Sequence, residues 1–173
     1  YGTYGFVIHE IAEMVALNMG QYAHGNQPVQ HAIYLYDYIG QPWKTQYHLR
    51  NVMDKLYNSG SKGYGGDEDN GQTSAWYVFS AMGFYPVCPG TDEYVLGAPY
   101  LPYLKLKLPN GNTLEIKAPG VSDKKRYVQS LKLNGKVYDK MYITHEDILK
   151  GGVLEFKMSA SPNKRRGLTK EDK

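Results

Sequence analysis

Cysteine is almost missing: Cys88 is the only one in 173 residues, so the chain closes no disulfide within itself. That excludes a small disulfide-stapled scaffold and leaves the compartment undecided, because many exported bacterial enzymes also lack disulfides. Long apolar runs are missing too. None approaches the ~20 residues of a membrane span, and no charged-then-apolar leader opens the chain. Tyr1 is not a natural start, so an upstream targeting segment is compatible with the sequence. Basic residues are scarce in the first half, while acidic ones are spread evenly. Residues 1–95 carry a net charge of −5 and residues 96–173 a net charge of +8.

What is present makes a globular chain. Hydrophobic residues reach 42%, enough for a core, and the length suits one ordinary domain or two small pieces. Tyr, with 17 copies, pairs an apolar ring with a polar tip. It serves sugar-binding surfaces as readily as wide helix–helix and sheet contacts. The basic half invites a nucleic-acid reading. Its lysines, however, alternate with apolar residues, as in Leu104-Lys105-Leu106-Lys107-Leu108, which is how a half-buried strand with Lys on its wet face looks. No nucleic-acid partner is therefore expected. The closing run from Lys164-Arg165-Arg166 to Lys173 reads as a solvated tail.

The hydrophobic period changes near residue 95. Before it, Ile8, Ile11, Ala12, Val15, Ala16 and Met19 form an apolar helical stripe, and further helices are predicted over 28–39, 43–58 and 72–82. Asp69 or Asn70 stands near the start of the last of these, and Gly83 follows its end. After residue 95, strands are predicted at Tyr94–Leu96, Tyr103–Leu108, Thr113–Lys117, Tyr127–Leu133 and Val153–Met158. Asn110-Gly111 and Asn134-Gly135 stand where two-residue hairpin turns belong. The expectation is an α+β chain: helical material over 1–95, then an antiparallel β module over 96–173.

Four clusters can carry chemistry. Gly65-Gly66-Asp67-Glu68-Asp69-Asn70-Gly71-Gln72 places three consecutive acids in a glycine-rich loop, the segment 63–72, ahead of a helix. Their repulsion is relieved by a cation, a proton or a helix N-terminus, so general-base catalysis, metal binding and simple helix capping all remain open. His9, Glu10 and Glu13 share one helix. The pattern H-E-x-x-E lacks the second histidine of a zinc protease, and a solvated helix face is its plain alternative. His24-Gly25-Asn26-Gln27-Pro28, with His31, offers amides suited to sugar hydroxyls and carbonyls suited to calcium, or makes an ordinary turn. In Pro42-Trp43-Lys44 an exposed Trp could stack on a sugar face, and a buried Trp at a helix start is the alternative.

Three longer motifs in order resemble a known family. They are Gly20-Gln-Tyr-Ala-His-Gly-Asn-Gln-Pro28; His31-x-x-Tyr34-Leu35-Tyr36 with Gly40-Gln-Pro-Trp-Lys-Thr-Gln46; and Gly66-Asp-Glu-Asp-Asn-Gly-Gln72 running into Ser74–Ser80 and Gly83–Val87. Over roughly residues 6–100 the chain resembles glycoside hydrolase family 92, the bacterial α-mannosidases abundant in gut Bacteroides, and more loosely beyond. The resemblance implies an (α/α)6-barrel-like catalytic domain packed with a β-sandwich-type module. It implies calcium-dependent, inverting hydrolysis of terminal α-mannosides, often α-1,2-linked, from glycans. It further implies Asp69 as general base with Asp67 as its partner, and Glu10 and Asn26 as calcium ligands. His9, Glu10, Gln27, Trp43, Lys44 and Gln72 are the implied sugar contacts. The family's general-acid Glu lies in a motif upstream of His9-Glu10, so the expectation is a C-terminal part that needs the remainder of its polypeptide, in a periplasmic or cell-surface enzyme. A non-catalytic carbohydrate-binding module is the alternative. Ser61 and Gly65 stand where relatives often carry Pro and Cys.

Overall fold

The computed structural model describes residues 5–169 and 172. Five helices and eight strands follow in order, helices mostly first: α1 (His9–Leu17), α2 (Leu35–Tyr38), α3 (Pro42–Leu56), α4 (Gln72–Met82), β1 (Phe84–Tyr85), β2 (Glu93–Leu96), β3 (Tyr103–Lys107), β4 (Thr113–Lys117), β5 (Tyr127–Leu133), β6 (Lys136–Val137), β7 (Tyr142–Thr144), α5 (His145–Lys150) and β8 (Gly152–Ser159). The class is α+β, as the change of period predicts.

The apolar spacing of α3 places Leu49, Val52, Met53 and Leu56 on one buried side, with Pro42 in its first turn, where a missing N–H costs nothing. They pack with Ile33, Tyr34, Trp76, Tyr85 and Val95 as the helical core. α4 serves two cores. Trp76 and Ala81 enter the first, and Met82 joins Phe84, Leu96, Leu114, Ile116, Val128, Leu131, Ile143, Leu154 and Phe156 in the second. The two halves are also tied by hydrogen bonds: Val128 N–H donates to Gln46 Oε1 at 3.0 Å and Arg126 to Asn51 Oδ1 at 3.2 Å.

The predicted helix over 28–39 does not form as one rod. Two 3₁₀ turns, Gln27–Val29 and Ala32–Tyr34, lead into the single turn of α2. The cause is competition for a carbonyl from a side chain distant in sequence. An α-helix would have Tyr34 N–H donate to Gln30 O. Here it donates to His31 O at 2.9 Å, while Gln30 O accepts the indole N–H of Trp76 at 3.0 Å. α1 forms where predicted, yet none of its residues is buried, and Phe6 and Val7 before it are 73% and 74% exposed.

Two sheets are present, β1-β2-β7 and β3-β4-β8-β5-β6. The pairing is antiparallel, as expected, with one exception: β4 and β8 pair in parallel, Leu114 opposite Gly152 through Lys117 opposite Glu155. Alternation reports which face of a strand is wet and carries no information on direction. A long excursion from residue 118 to 151 returns the chain to the same end of β4. The three-stranded sheet also draws β1 and β7 from either side of residue 95, pairing both with β2. Asn134 and Gly135, at φ 52° and 79°, make the two-residue turn between β5 and β6. Asn110-Gly111 does not. There Leu108 N–H donates to Asn112 O and Gly111 N–H to Leu108 O, a three-residue loop with Gly111 left-handed at φ 86°.

The basic run after Lys164 is no solvated tail where it is described. Arg166 is only 9% exposed and donates to Tyr138 O at 3.1 Å and Lys140 O at 3.3 Å. Asn163 donates to Gln129 O, and Lys164 Nζ stands 5.2 Å from the centre of the Trp43 ring. Lys170, Glu171 and Lys173 lie outside the described residues.

Candidate functional site

The acidic loop is fixed from below by backbone crossing. A Cβ on Gly25 would lie 2.2 Å from Gly65 O and 2.9 Å from Gly66 Cα. A Cβ on Gly66 would lie 2.5 Å from Gly25 Cα. Glycine on both strands of the crossing lets the two loops touch main chain to main chain. This sets Asn26 and Gln27 beside Asp67–Gln72, so the first and third sequence clusters converge. Leu17 at the end of α1 and Leu56 at the end of α3 close on Gly65 from the other side.

Within the loop the three acids divide. Glu68 takes the capping role: its carboxylate accepts Gly71 N–H at 2.7 Å, Ser74 N–H at 3.4 Å and the Ser74 hydroxyl at 2.6 Å. The Ser74 hydroxyl first, and then the Gly71 amide, hold its pKa below the usual carboxylate range. Asp69 and Asn70 do not cap α4. They turn through left-handed backbone, φ 53° and 55°, ahead of Gly71 at 102°. Asp and Asn are the non-glycine residues that enter this region most readily, so the turn suits both. Asp67 and Asp69 stay exposed, and among the described residues neither carboxylate has a hydrogen bond or ion pair. With Glu68 occupied by the helix, these two are the free carboxylates of the loop.

Behind the loop lies a buried polar network. His24, fully buried, is held between the hydroxyls of Tyr22, 2.9 Å from Nδ1, and Tyr57, 2.6 Å from Nε2, and it packs edge-on against Trp76. Burial lowers its pKa to about 4, so the ring is neutral at neutral pH. Gln72 Nε2 donates to Tyr85 Oη at 2.9 Å. Gln27, Pro28, His31, Gln72, Ala75, Phe79, Tyr85, Pro86, Val87 and Pro89 line an open cleft of about 450 Å³ next to the loop.

The other predicted residues sit farther off. His9 pairs with its neighbour Glu10, Nδ1 to Oε2 3.4 Å, on an exposed stretch of α1. At 1.5 Å per residue, Glu10 is roughly 10 Å up the helix from Leu17. Trp43 and Lys44 open α3, whereas its far end meets Gly65. Thirteen residues of helix put them about 20 Å away. The Trp43 ring is half-buried and lies under Lys44 Nζ at 5.4 Å as well as Lys164. The structure therefore brings the segments of Asn26, Gln27, Asp67, Asp69 and Gln72 together, with His9 and Glu10 at the other end of α1 from Leu17 and Trp43 and Lys44 at the other end of α3 from Leu56. Sequence reasoning missed Glu68 as the cap and Gln30, Thr73, Tyr22, Tyr57 and Tyr85 as the supporting network. Only the three-residue offset from Glu68 to Gly71 hinted at the first.

Among the described residues no three His, Cys, Asp or Glu side chains converge as a metal site. Calcium takes six to eight oxygens. Glu10 and Asn26 have the right donor chemistry, and the Asn26 amide has no side-chain partner among the described residues, but the two make only part of a shell.

Residues 5–160 match the model of the glycosyl hydrolase family 92 catalytic domain. An inverting mannosidase of that family from Bacteroides thetaiotaomicron is 66% identical, with a TM-score of 0.85, over 99% of this chain and 23% of its own. A second α-mannosidase of the family from the same organism, solved with mannoimidazole, is 41% identical with a TM-score of 0.87, over 90% of this chain and 20% of its own. A fungal protein described as an uncharacterized secreted glycosidase, from Arthroderma benhamiae, is 30% identical over 87% of this chain and 22% of its length. The chain thus spans less than a quarter of each relative.

Proposed function

The chain belongs to glycosyl hydrolase family 92, and on that premise we propose that it is the C-terminal part of an inverting exo-α-mannosidase and supplies the general base. The observation that carries this is the Gly25–Gly66 backbone crossing, which sets the segment bearing Asn26 and Gln27 against the loop that bears two free carboxylates, Asp67 and Asp69.

Inversion needs two carboxyl groups on opposite faces of the sugar, about 6.5–9.5 Å apart, with a water between one of them and the anomeric carbon. Asp69, steered by Asp67, accepts a proton from that water as its oxygen bonds to C1. The glycosidic C–O bond breaks on the other face, and the leaving oxygen takes a proton from a carboxylic acid on the upstream part of the polypeptide. Gln27 and Gln72, at the mouth of the 450 Å³ cleft, bind sugar hydroxyls. His9 and Glu10 reach in from the rim of α1. Trp43 and Lys44, at the other end of α3 from Gly65, act beyond the first sugar. Glu10 and Asn26 would hold part of a calcium shell. A calcium ion held there would supply Lewis-acid anchoring of sugar hydroxyls. The preferred linkage in this reading is α-1,2, and the enzyme acts outside the cytoplasm, in the periplasm or at the cell surface. Alone, the chain lacks the acid and is inactive.

The test uses the full-length enzyme on an α-1,2-mannobioside, with the anomer of released mannose read by NMR. Asp69→Asn is expected to lower kcat by about 10²–10⁴-fold, and EDTA to abolish activity until calcium is restored. Full activity in Asp69→Asn would place the base elsewhere. Sugar affinity that survives both treatments without hydrolysis in the parent would mean a carbohydrate-binding module.

A further inference from the structure

The loop that bears Asp67 and Asp69 does not rest on its own contacts alone. Thr73 Oγ1 donates to Asp67 O at 2.9 Å and in turn accepts from Gln30 Nε2 at 3.4 Å. The second N–H of the same amide donates to His24 O at 3.2 Å, one residue before the glycine crossing. Gln30 Oε1 accepts from Gln72 Nε2 at 3.4 Å. The backbone carbonyl of Gln30 accepts the Trp76 indole. Gln30 is 0% and Thr73 1% exposed. Both N–H groups and the oxygen of a buried amide are thus engaged with three segments: the 24–27 loop, the start of α4 and, through Thr73, the acidic loop.

A buried amide is costly unless all its groups are paired, and it discriminates sharply between geometries once they are. Hydrophobic packing alone would hold this place with a Leu or Met. We propose that Gln30 and Thr73 are positioning residues of the hydrolytic site, a two-residue hub that fixes Asp67 and Asp69 in register with Asn26 and Gln27. The hub sets the direction from which the base meets its water, so it acts on the chemical step more than on sugar binding. This rests on the reading of Asp69 as the base, and the hub's hold on the loop is testable apart from that reading.

The experiment compares Thr73→Val, Thr73→Ser and Gln30→Glu in the full-length enzyme. Valine keeps the shape and loses the hydroxyl, serine restores it, and glutamate keeps size and acceptor but removes both donated bonds. Three readouts are taken: kcat and KM on the α-mannoside, the thermal midpoint, and amide exchange over residues 66–72. The loss of the hydroxyl, with the two bonds it makes, is expected to lower kcat about tenfold in Thr73→Val, with KM within twofold, and to speed exchange in the loop by a similar factor. Thr73→Ser returns both to near parental values. If Thr73→Val does not fold, Gln30→Glu carries the same comparison. Parental kcat and exchange in a folded Thr73→Val would overturn the hub, and with Asp69→Asn inactive the base assignment would survive. Faster exchange together with a fully active Asp69→Asn would leave the hub standing as the loop's anchor and refute the base assignment instead.

Discussion

Gly25→Ala tests the central geometric claim. The added carbon would start 2.2 Å from Gly65 O, 2.9 Å from Gly66 Cα and 3.1 Å from Gly65 C. Carbon and oxygen do not approach that closely, and the first contact is short by roughly 1 Å. All three neighbours are backbone, so no rotamer change relieves the overlap, and one loop has to retreat. Overpacking of this kind costs about 1–3 kcal/mol. A displacement of about 1 Å between groups that must meet one substrate costs about 10²-fold in rate. The expected outcome in the full-length enzyme is a kcat/KM on α-mannoside lower by about 10²-fold, with a modest fall in thermal midpoint. Gly111→Ala is the control. It carries the strain of a positive φ, 86°, in a distant hairpin where a Cβ meets nothing within 4 Å, and should cost stability without activity. If Gly25→Ala keeps parental kcat/KM and stability, the loops are not held in register by this crossing, and the argument joining Asn26 and Gln27 to the acidic loop fails.

Burial of His24 predicts a pH dependence. Its folded pKa, about 4, lies below the ordinary 6.5, so the unfolded chain binds the extra proton first. The stabilisation is complete above about pH 6.5 and is lost as pH falls toward 4, amounting to about 3 kcal/mol at full extent; denaturant titrations of parent and His24→Gln across that window should diverge from each other. Arg166→Met removes two bonds to main-chain carbonyls and the cation whose field reaches the buried carboxyl of Asp37. It should destabilise by about 2–4 kcal/mol, and less so in an Asp37→Leu background, by thermal unfolding of the double-mutant cycle. Asp37 Oδ1 and Arg166 Nε are the buried side-chain atoms without partners among the described residues, which makes them the pair to probe. Glu68→Ala frees the amides of Gly71 and Ser74, and hydrogen exchange at these two should rise while exchange at Trp76 stays slow.

Much of this protein was settled by pattern alone. β4 and β5 formed within the predicted bounds, because alternation over five to seven residues with β-branched and Leu side chains leaves one face to bury. α3 and α4 followed from a 3.6-residue period closed by Pro42 at one end and Gly83 at the other. The motifs around the acidic loop were legible because they are short and contiguous. The tertiary structure decided what contiguity cannot express. Which of three adjacent acids caps the helix depended on backbone turns at Asp69 and Asn70, where side-chain identity permits several conformations. The break of the 28–39 helix depended on Trp76, 46 residues away, taking the Gln30 carbonyl. The parallel pairing of β4 with β8, the seat of Arg166 and the joining of Gly25 to Gly66 all rest on contacts between distant segments. Their free energies are set by packing and by the cost of leaving a buried polar group unpaired, neither of which has a period in the sequence.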